Sequence, residues 1–558
     1  ARAPYQRNEY GGNLSGPIYI PRLYDGKNRS FFFASYEGFH LNQSASISST
    51  QPTAAERTGD LSCFLPGGSC LPNVILKNPL TGLSFPGNII NVPLNQIDLQ
   101  LQNLLIPPST VQTTGVNTQE LVPHTTDVSR FNLRLDHKIS DRDQVRATWL
   151  RAFYGPFADV GTSSRAGGVA LDGEHNSIFV LGWTHTFSPT LLLDSYVSYM
   201  HMPLYRSGQN YKTDFSSIIP GLGPVLLQAA PTISITNITG ISEGGSKNLE
   251  QTYQGNTALT KIFSRHTVKA GFSYLYNTSW QDSSGHGSFS FNGEYTGNAY
   301  ADFLLGDPAS TGNATPEDFI VRWNSSQYGM YIQDDWKILH NLTLNFGIRY
   351  DLQRFHDNPY GTESLFVPSV GKVVVFAKSY PANSNPLYVP DTVLAPAVGL
   401  PSSMYGYLGQ ADTNIAPRFG FAYQIRPKTV LRGAVGQYYN LLPSSYIGTG
   451  FSSVPFVNSV NYTNTTPKPT ITMNAPFAGS ATVGANPSVI AQHKTISPYT
   501  EQYNIALEQQ LPGEMDLRIG YVGQRTIHQN NHGGPGNTEP DINYAAPGNT
   551  VEQSRRPY

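Results

Sequence analysis

The sequence predicts an all-β chain, a transmembrane antiparallel β-barrel with short periplasmic turns and long extracellular loops, and three observations carry that expectation. Segments of about ten residues alternate apolar and polar side chains, as strands with one dry and one wet face do. They meet in pairs through turns of three or four residues, and the pairs are separated by connections of tens of residues. Charged residues make up 13% of the chain, against about 25% in soluble domains, and no apolar run of about 18 residues offers a helical span.

In chain order, the first hairpin joins Asn8–Ile20 to Ser30–Asn42, where the run Phe31-Phe32-Phe33 leads into alternating Tyr36, Gly38 and His40. Ser129–Ile139 and Gln144–Phe153 turn at Ser140-Asp141-Arg142-Asp143, with Phe131, Leu133 and Leu135 opposing Arg130, Asn132, Arg134, Asp136 and Lys138. Ser177–Phe187 and Leu191–Met202 turn at Ser188-Pro189-Thr190, and Thr257–Phe263 and Thr267–Tyr276 turn at Ser264-Arg265-His266. The cleanest pair spans Gln327–Gln353. There Tyr328, Met330, Ile332, Asp334 and Trp336 share a face, and after Leu339-His340-Asn341 the apolar set is Leu342, Leu344, Phe346, Ile348, Tyr350 and Leu352. Arg418–Ile425 with Thr429–Tyr439 and Gln502–Gln510 with Met515–Gly523 complete about fourteen strands. Proline at several turns costs no ladder bond. Periodicity alone does not say which face is wet, since a soluble sandwich shows the same alternation.

The connections, roughly 43–127, 155–176, 203–256, 277–326, 357–417 and 440–501, are rich in Asn, Ser, Thr, Gly and Tyr. That composition suits hydrogen bonding and stacking with polar ligands, and equally suits solvated loop. Asn298–Leu305 carries Tyr300, Phe303 and Leu304 at helical spacing, a short helix packed within a loop. A net charge of −2 gives no reason to expect a nucleic-acid partner. Cys63 and Cys70 bracket a turn-forming segment and fit a local disulfide in an oxidising compartment, with two free thiols as the alternative.

Several segments carry a resemblance: Asn8-Glu9-Tyr10-Gly11-Gly12-Asn13-Leu14-Ser15-Gly16-Pro17-Ile18, Ser30-Phe31-Phe32-Phe33-Ala34-Ser35-Tyr36-Glu37-Gly38 and Pro52-Thr53-Ala54-Ala55-Glu56-Arg57-Thr58-Gly59-Asp60. Further along come Asn298-Ala299-Tyr300-Ala301-Asp302-Phe303-Leu304-Leu305-Gly306, Tyr331-Ile332-Gln333-Asp334-Asp335-Trp336, Ala416-Pro417-Arg418-Phe419-Gly420-Phe421-Ala422-Tyr423 and Tyr499-Thr500-Glu501-Gln502-Tyr503-Asn504. In this order they resemble Oar-like TonB-dependent receptors. The resemblance implies an outer-membrane barrel of about 22 strands, a plug domain, and import of a bulky nutrient driven by the TonB complex. On that basis residues 1–523 read as a partial barrel, with roughly eight strands and the plug domain lacking, and residues 524–558 as a Gly/Pro/Asn-rich loop at a truncated C-terminal end.

Catalytic and metal constellations fare poorly. Gly240-Ile241-Ser242-Glu243-Gly244 has the spacing of a nucleophile elbow but lacks a strand before it and a helix after it. His528 and His532 sit among Gln, Asn and Gly residues that favour coil over a metal-binding helix. Asp334 and Asp335, adjacent on a strand, point to opposite faces and exclude a glycosidase pair. Sequons at Asn237, Asn277, Asn324 and Asn461 are expected by chance in a bacterial chain this rich in Asn, Ser and Thr. Trp183, Phe187 and Trp336 approach short turns and read as an interfacial aromatic girdle, with packing in a soluble sheet as the alternative. Asp334 belongs near the same rim, because a carboxylate at mid-membrane is costly. Arg130, Arg134, Lys138, Arg349, Arg418 and Arg432 recur on the polar, lumen-facing side, to attract anionic cargo, contact a plug or simply hydrate.

The expected protein is therefore a non-enzymatic receptor and transporter of the bacterial outer membrane, without a cofactor. Its expected partners are outer-membrane lipid, the TonB complex through the plug segment, and an extracellular nutrient such as an oligosaccharide, a peptide or a metal chelate. The alternatives are an outer-membrane adhesion or surface-display barrel, and a secreted all-β carbohydrate-binding protein.

Overall fold

A computed structural model describes residues 5–111, 115–155, 158–160, 168–171, 174–208, 210–223, 229–243, 246–315, 318–386, 388–410, 412–441, 454–456, 458–464, 468–479, 481–484, 496–529 and 555. Besides two short strands that pair off it, Ala158–Val160 and Gly168–Leu171, fourteen strands form the meander of its main sheet. They are β1 (Tyr5–Pro17), β2 (Ser30–Ser49), β3 (Thr118–Lys138), β4 (Asp143–Tyr154), β5 (Glu174–Ser188), β6 (Leu191–Gly208), β7 (Ser246–Phe263), β8 (His266–Ser284), β9 (Asp318–Leu339), β10 (Leu342–His356), β11 (Asn414–Arg426), β12 (Thr429–Tyr439), β13 (Tyr499–Leu511) and β14 (Met515–Ile527). Each pairs antiparallel with the next in chain order, and β1 and β14 form the two edges of an unclosed sheet. Such an up-and-down order needs only local connections at the short-turn end.

Register sorts the side chains as the alternation requires. Met330 pairs with Tyr350, Ile332 with Ile348, Trp336 with Leu344 and Phe346 with Phe419, one apolar rank running across β9, β10 and β11. Tyr331 pairs with Arg349 and Asp335 with Asn345 on the polar rank between them. Turns are tighter than the alternation suggests, since ladder pairing reaches Phe263 and His266, leaving only Ser264 and Arg265 outside. Ser264 takes a left-handed φ of 52°, which suits the twist of a two-residue hairpin. The last strand runs past Gly523 to Ile527.

Several strands are about twice the length a membrane requires. β2, β3 and β9 have 20, 21 and 22 residues, whereas a tilted strand crosses the hydrocarbon in about 9–11. Their surplus carries the long connections. No helix among the described residues is long and apolar enough to cross a membrane.

Among the described residues, five of the six connections contribute to two caps with cores of their own. The larger unites four connections: helix α1 (Gln96–Leu105), helix α2 (Ala299–Leu305) and a five-stranded sheet built from Thr232–Ile235, Ser288–Phe291, Ser310–Thr315, Asn458–Thr463 and Ala481–Gly484. Leu61, Leu101, Ile219, Phe289, Phe303 and Met473 meet in its core. The smaller cap packs Leu365, Val367, Val374, Met404 and Phe456 with Val321 of β9 and Phe355 of β10. It contains a three-stranded sheet, Ser364–Val367, Lys372–Val375 and Thr392–Leu394, and helix α3 (Met404–Leu408).

The expected loop helix is α2, starting one residue later than its sequence signal. Asn298 is its N-cap, accepting from the backbone N–H groups of Tyr300 and Ala301 at 2.9 and 3.1 Å, and Gly306 closes it at φ 78°. Tyr300, Phe303 and Leu304 are all buried, against α1 and the small sheet.

Candidate functional site

The larger cap carries a cleft of about 730 Å³ in which the apolar Leu71, Pro72 and Ile238 line the wall together with Thr50, Asn73, Gly115, Asn237 and Thr239. Its rim is set by two hydrogen bonds that bring distant segments together. Thr50 N–H donates to Thr239 Oγ1 at 2.8 Å, and Thr239 N–H donates to the Thr50 carbonyl at 2.9 Å. Amide and hydroxyl groups without a formal charge line the opening, which suits a neutral, hydroxyl- or amide-rich ligand. Sequence reasoning did not single out this cleft, because its walls come from two connections far apart in the chain.

The same cap holds three buried carboxyls. Asp302 on α2 accepts from Thr296 Oγ1 at 2.6 Å and Thr296 N–H at 2.8 Å. Burial pushes it up to about 6, despite those hydrogen bonds. Burial, with Asp302 nearby, pushes Asp307 up to about 7, and burial with Asp307 nearby holds Asp98 on α1 well above the usual carboxylate range. In the smaller cap burial pushes Glu363 up to about 8. Asp302 and Glu363 brace loop backbone; Glu363 accepts from Asn358 N–H at 2.6 Å. Cys63 and Cys70 are joined in a disulfide within the larger cap.

The six basic residues expected on the polar side share one face of the sheet by register. Most of their charge is neutralised locally. Arg130 meets Glu37 at 2.6 Å, Arg134 meets Asp136 at 2.7 Å, Lys138 meets Asp141 at 2.6 Å, Arg349 meets Asp351 at 2.8 Å and Arg432 meets Glu508 at 3.1 Å. Arg418 stacks over Tyr438, 4.4 Å from the ring centre. The arrangement is a wall of paired charges rather than an open cationic field.

Trp183, Phe187 and Trp336 lie on the apolar face beside the short turns, each next to a histidine. His185 sits 5.5 Å from Trp183 and 4.4 Å from Phe187, and His266 stacks on Trp336 at 5.3 Å. Each histidine is held by a carboxylate. Asp143 Oδ1 lies 2.6 Å from His185 Nδ1 and 3.1 Å from Trp183 Nε1, and Asp334 Oδ2 lies 2.6 Å from His266 Nδ1. Asp334 is thus buried under its neighbours at the rim. Asp335, on the opposite face, accepts from Asn345.

Ser242 forms no elbow: Ile241 pairs with Ile233 in the cap, and Glu243 accepts from Ala230 N–H at 2.8 Å. Gly244 and His532 lie outside the described residues.

An ordered meander of amphipathic antiparallel strands, with tight turns at one end and folded connections at the other, defines an outer-membrane β-barrel protein. Residues 1–558 match the family described as outer membrane beta barrel domain, and the chain belongs to that family. It is a protein of the bacterial outer membrane. No curated protein matches the sequence. Among solved structures, the outer membrane transporter YddB from Escherichia coli is similar at 11% identity and a TM-score of 0.50, covering 93% of this chain and 46% of its own. The siderophore receptor PirA from Acinetobacter baumannii is similar at 10% identity and a TM-score of 0.42, covering 94% of this chain and 50% of its own. The chain spans about half the length of these structures.

Proposed function

We propose that this chain is the barrel portion of a TonB-dependent receptor of Oar-like type, which captures a bulky nutrient at the cell surface and imports it past a plug domain under TonB drive. The observation that carries this reading is the union of an outer-membrane barrel sheet with a folded cap that presents a cleft of about 730 Å³. The polar face lines the lumen, where its paired charges offer hydrogen bonds to a plug without repelling it. Trp183, Phe187 and Trp336 form part of the aromatic girdle at the periplasmic interface. A cleft bearing amides and hydroxyls favours an oligosaccharide or peptide over an anionic metal chelate, since the nearby lumen cations already have partners.

Binding of labelled oligosaccharides, peptides and ferric chelates to the full-length protein tests this reading. Leu71 is exposed at the cleft, so Leu71→Trp narrows the opening without entering the core. At least about tenfold weaker binding of the captured ligand is expected, the loss of roughly one good contact surface. Unchanged binding would move capture away from this cleft.

A further inference from the structure

The apolar face carries a groove that nutrient transport does not use. It holds about 700 Å³ and crosses β3 to β8. A belt of aromatic rings in ladder register, Trp149, Phe179, Tyr199 and Tyr253, forms one side. Trp149 stacks on Phe179 at 5.9 Å, and Tyr199 lies 5.0 Å from Tyr253. The next rank toward the short turns is small: Val197 pairs with Gly255, and nothing lies within 4 Å of the place a Cβ on Gly255 would occupy. A smooth lipid-facing wall would fill that hollow.

The ranks below it set polar side chains among apolar ones such as Leu193 and Leu259. Ser195 Oγ and Thr257 Oγ1 are 2.7 Å apart, one rank nearer the turns than Val197 and Gly255. His185 is on the following rank, its Nδ1 engaged by Asp143 and its Nε2 directed to no hydrogen-bond partner among the described residues. Lys261 follows on β7, donating to Thr190 Oγ1 at 3.0 Å and lacking a carboxylate partner among the described residues. Successive ranks on one face are about 7 Å apart, so apolar hollow, hydroxyl pair and the Lys261 ammonium succeed one another over the length of a lipid's upper chain, ester and phosphate.

We propose that this groove binds one anionic phospholipid of the periplasmic leaflet. An acyl chain lies in the hollow at Val197 and Gly255 against the aromatic belt, a glycerol ester meets Ser195 and Thr257, and the phosphate lies against the Lys261 ammonium. This inference rests on the outer-membrane placement of the sheet and is independent of TonB or cargo.

The test is native mass spectrometry of the full-length protein equilibrated with equal amounts of phosphatidylglycerol and phosphatidylcholine. The wild type is expected to retain one phosphatidylglycerol in preference to phosphatidylcholine by about fivefold, the effect of one cationic group at a membrane surface. Lys261→Gln is expected to keep lipid but lose most of that preference. Gly255→Phe fills the hollow and is expected to lose the retained lipid of either kind, with heat-modifiable migration confirming a folded barrel. Equal retention of the two lipids by the wild type, or retention unchanged in a folded Gly255→Phe protein, would overturn the proposal. Because Lys261 is at the surface, its variant remains informative should Gly255→Phe fail to fold.

Discussion

Asp334 Oδ2 lies 2.6 Å from His266 Nδ1 on the apolar face of the sheet, and Trp336 stacks over the same imidazole. A carboxylate on this face would be costly in lipid. Here it is paired, covered and kept at the rim, and the same device recurs at Asp143, His185 and Trp183.

Removing one partner should therefore cost more than removing both. His266→Ala leaves Asp334 without its donor and is expected to lower barrel stability by about 1–3 kcal/mol. The double variant His266→Ala, Asp334→Ala is expected to recover part of that loss. Urea unfolding of the folded protein in detergent measures both. Strict additivity of the two single changes would remove the coupling.

The caps should loosen as pH rises. Asp302, Asp307 and Glu363 keep their protons to about pH 6, 7 and 8 in the folded protein, whereas carboxyls of an unfolded chain ionise near 4. Between about pH 4 and pH 8 the unfolded segment gains ionisation that the folded cap resists, so cap stability falls through that window and levels above it. Hydrogen exchange in residues 357–413, corrected for intrinsic rate, should be at least about tenfold faster at pH 8.5 than at pH 5. Glu363→Gln keeps an acceptor for Asn358 and should flatten this dependence.

Phe303 is fully buried between Phe291 and Tyr300. Phe303→Ala is expected to destabilise the larger cap by about 3–5 kcal/mol, exposing residues 50–117 to protease while β1 to β14 keep their heat-modifiable migration. Loss of the barrel together with the cap would show that the two fold as one unit.

Cys63→Ser with Cys70→Ser opens a short covalent loop inside that cap. The expected loss is about 2 kcal/mol, set by the small loop closed, again read as protease sensitivity of residues 50–117. An unchanged digestion pattern would make the disulfide dispensable for the cap.

The sheet was legible because strand physics is local. Alternation over Gln327–Gln353 placed Met330 and Ile348 on one face and Tyr331 and Arg349 on the other, and the ladder has them so. Asn298, a capping side chain before apolar residues at helical spacing, marked α2 for the same reason. The cap cores were not legible. Leu61, Ile219, Phe289 and Met473 are isolated apolar residues in polar surroundings, and only the tertiary fold brings them together from four connections. The cleft shared that fate, as did the histidine partner of Asp334, which lies 68 positions away. Paired charges such as Arg130 with Glu37 join neighbouring strands separated by a long cap segment, so their neutralisation follows from register rather than from sequence spacing.

The most direct test of the account is uptake of labelled oligosaccharides, peptides and ferric chelates by cells carrying the complete gene, with and without a functional TonB complex. The account predicts accumulation of one ligand class that disappears without TonB and weakens in Leu71→Trp. Surface binding without uptake in TonB-competent cells, by a protein correctly inserted in the outer membrane, would contradict it and assign the caps to adhesion or display.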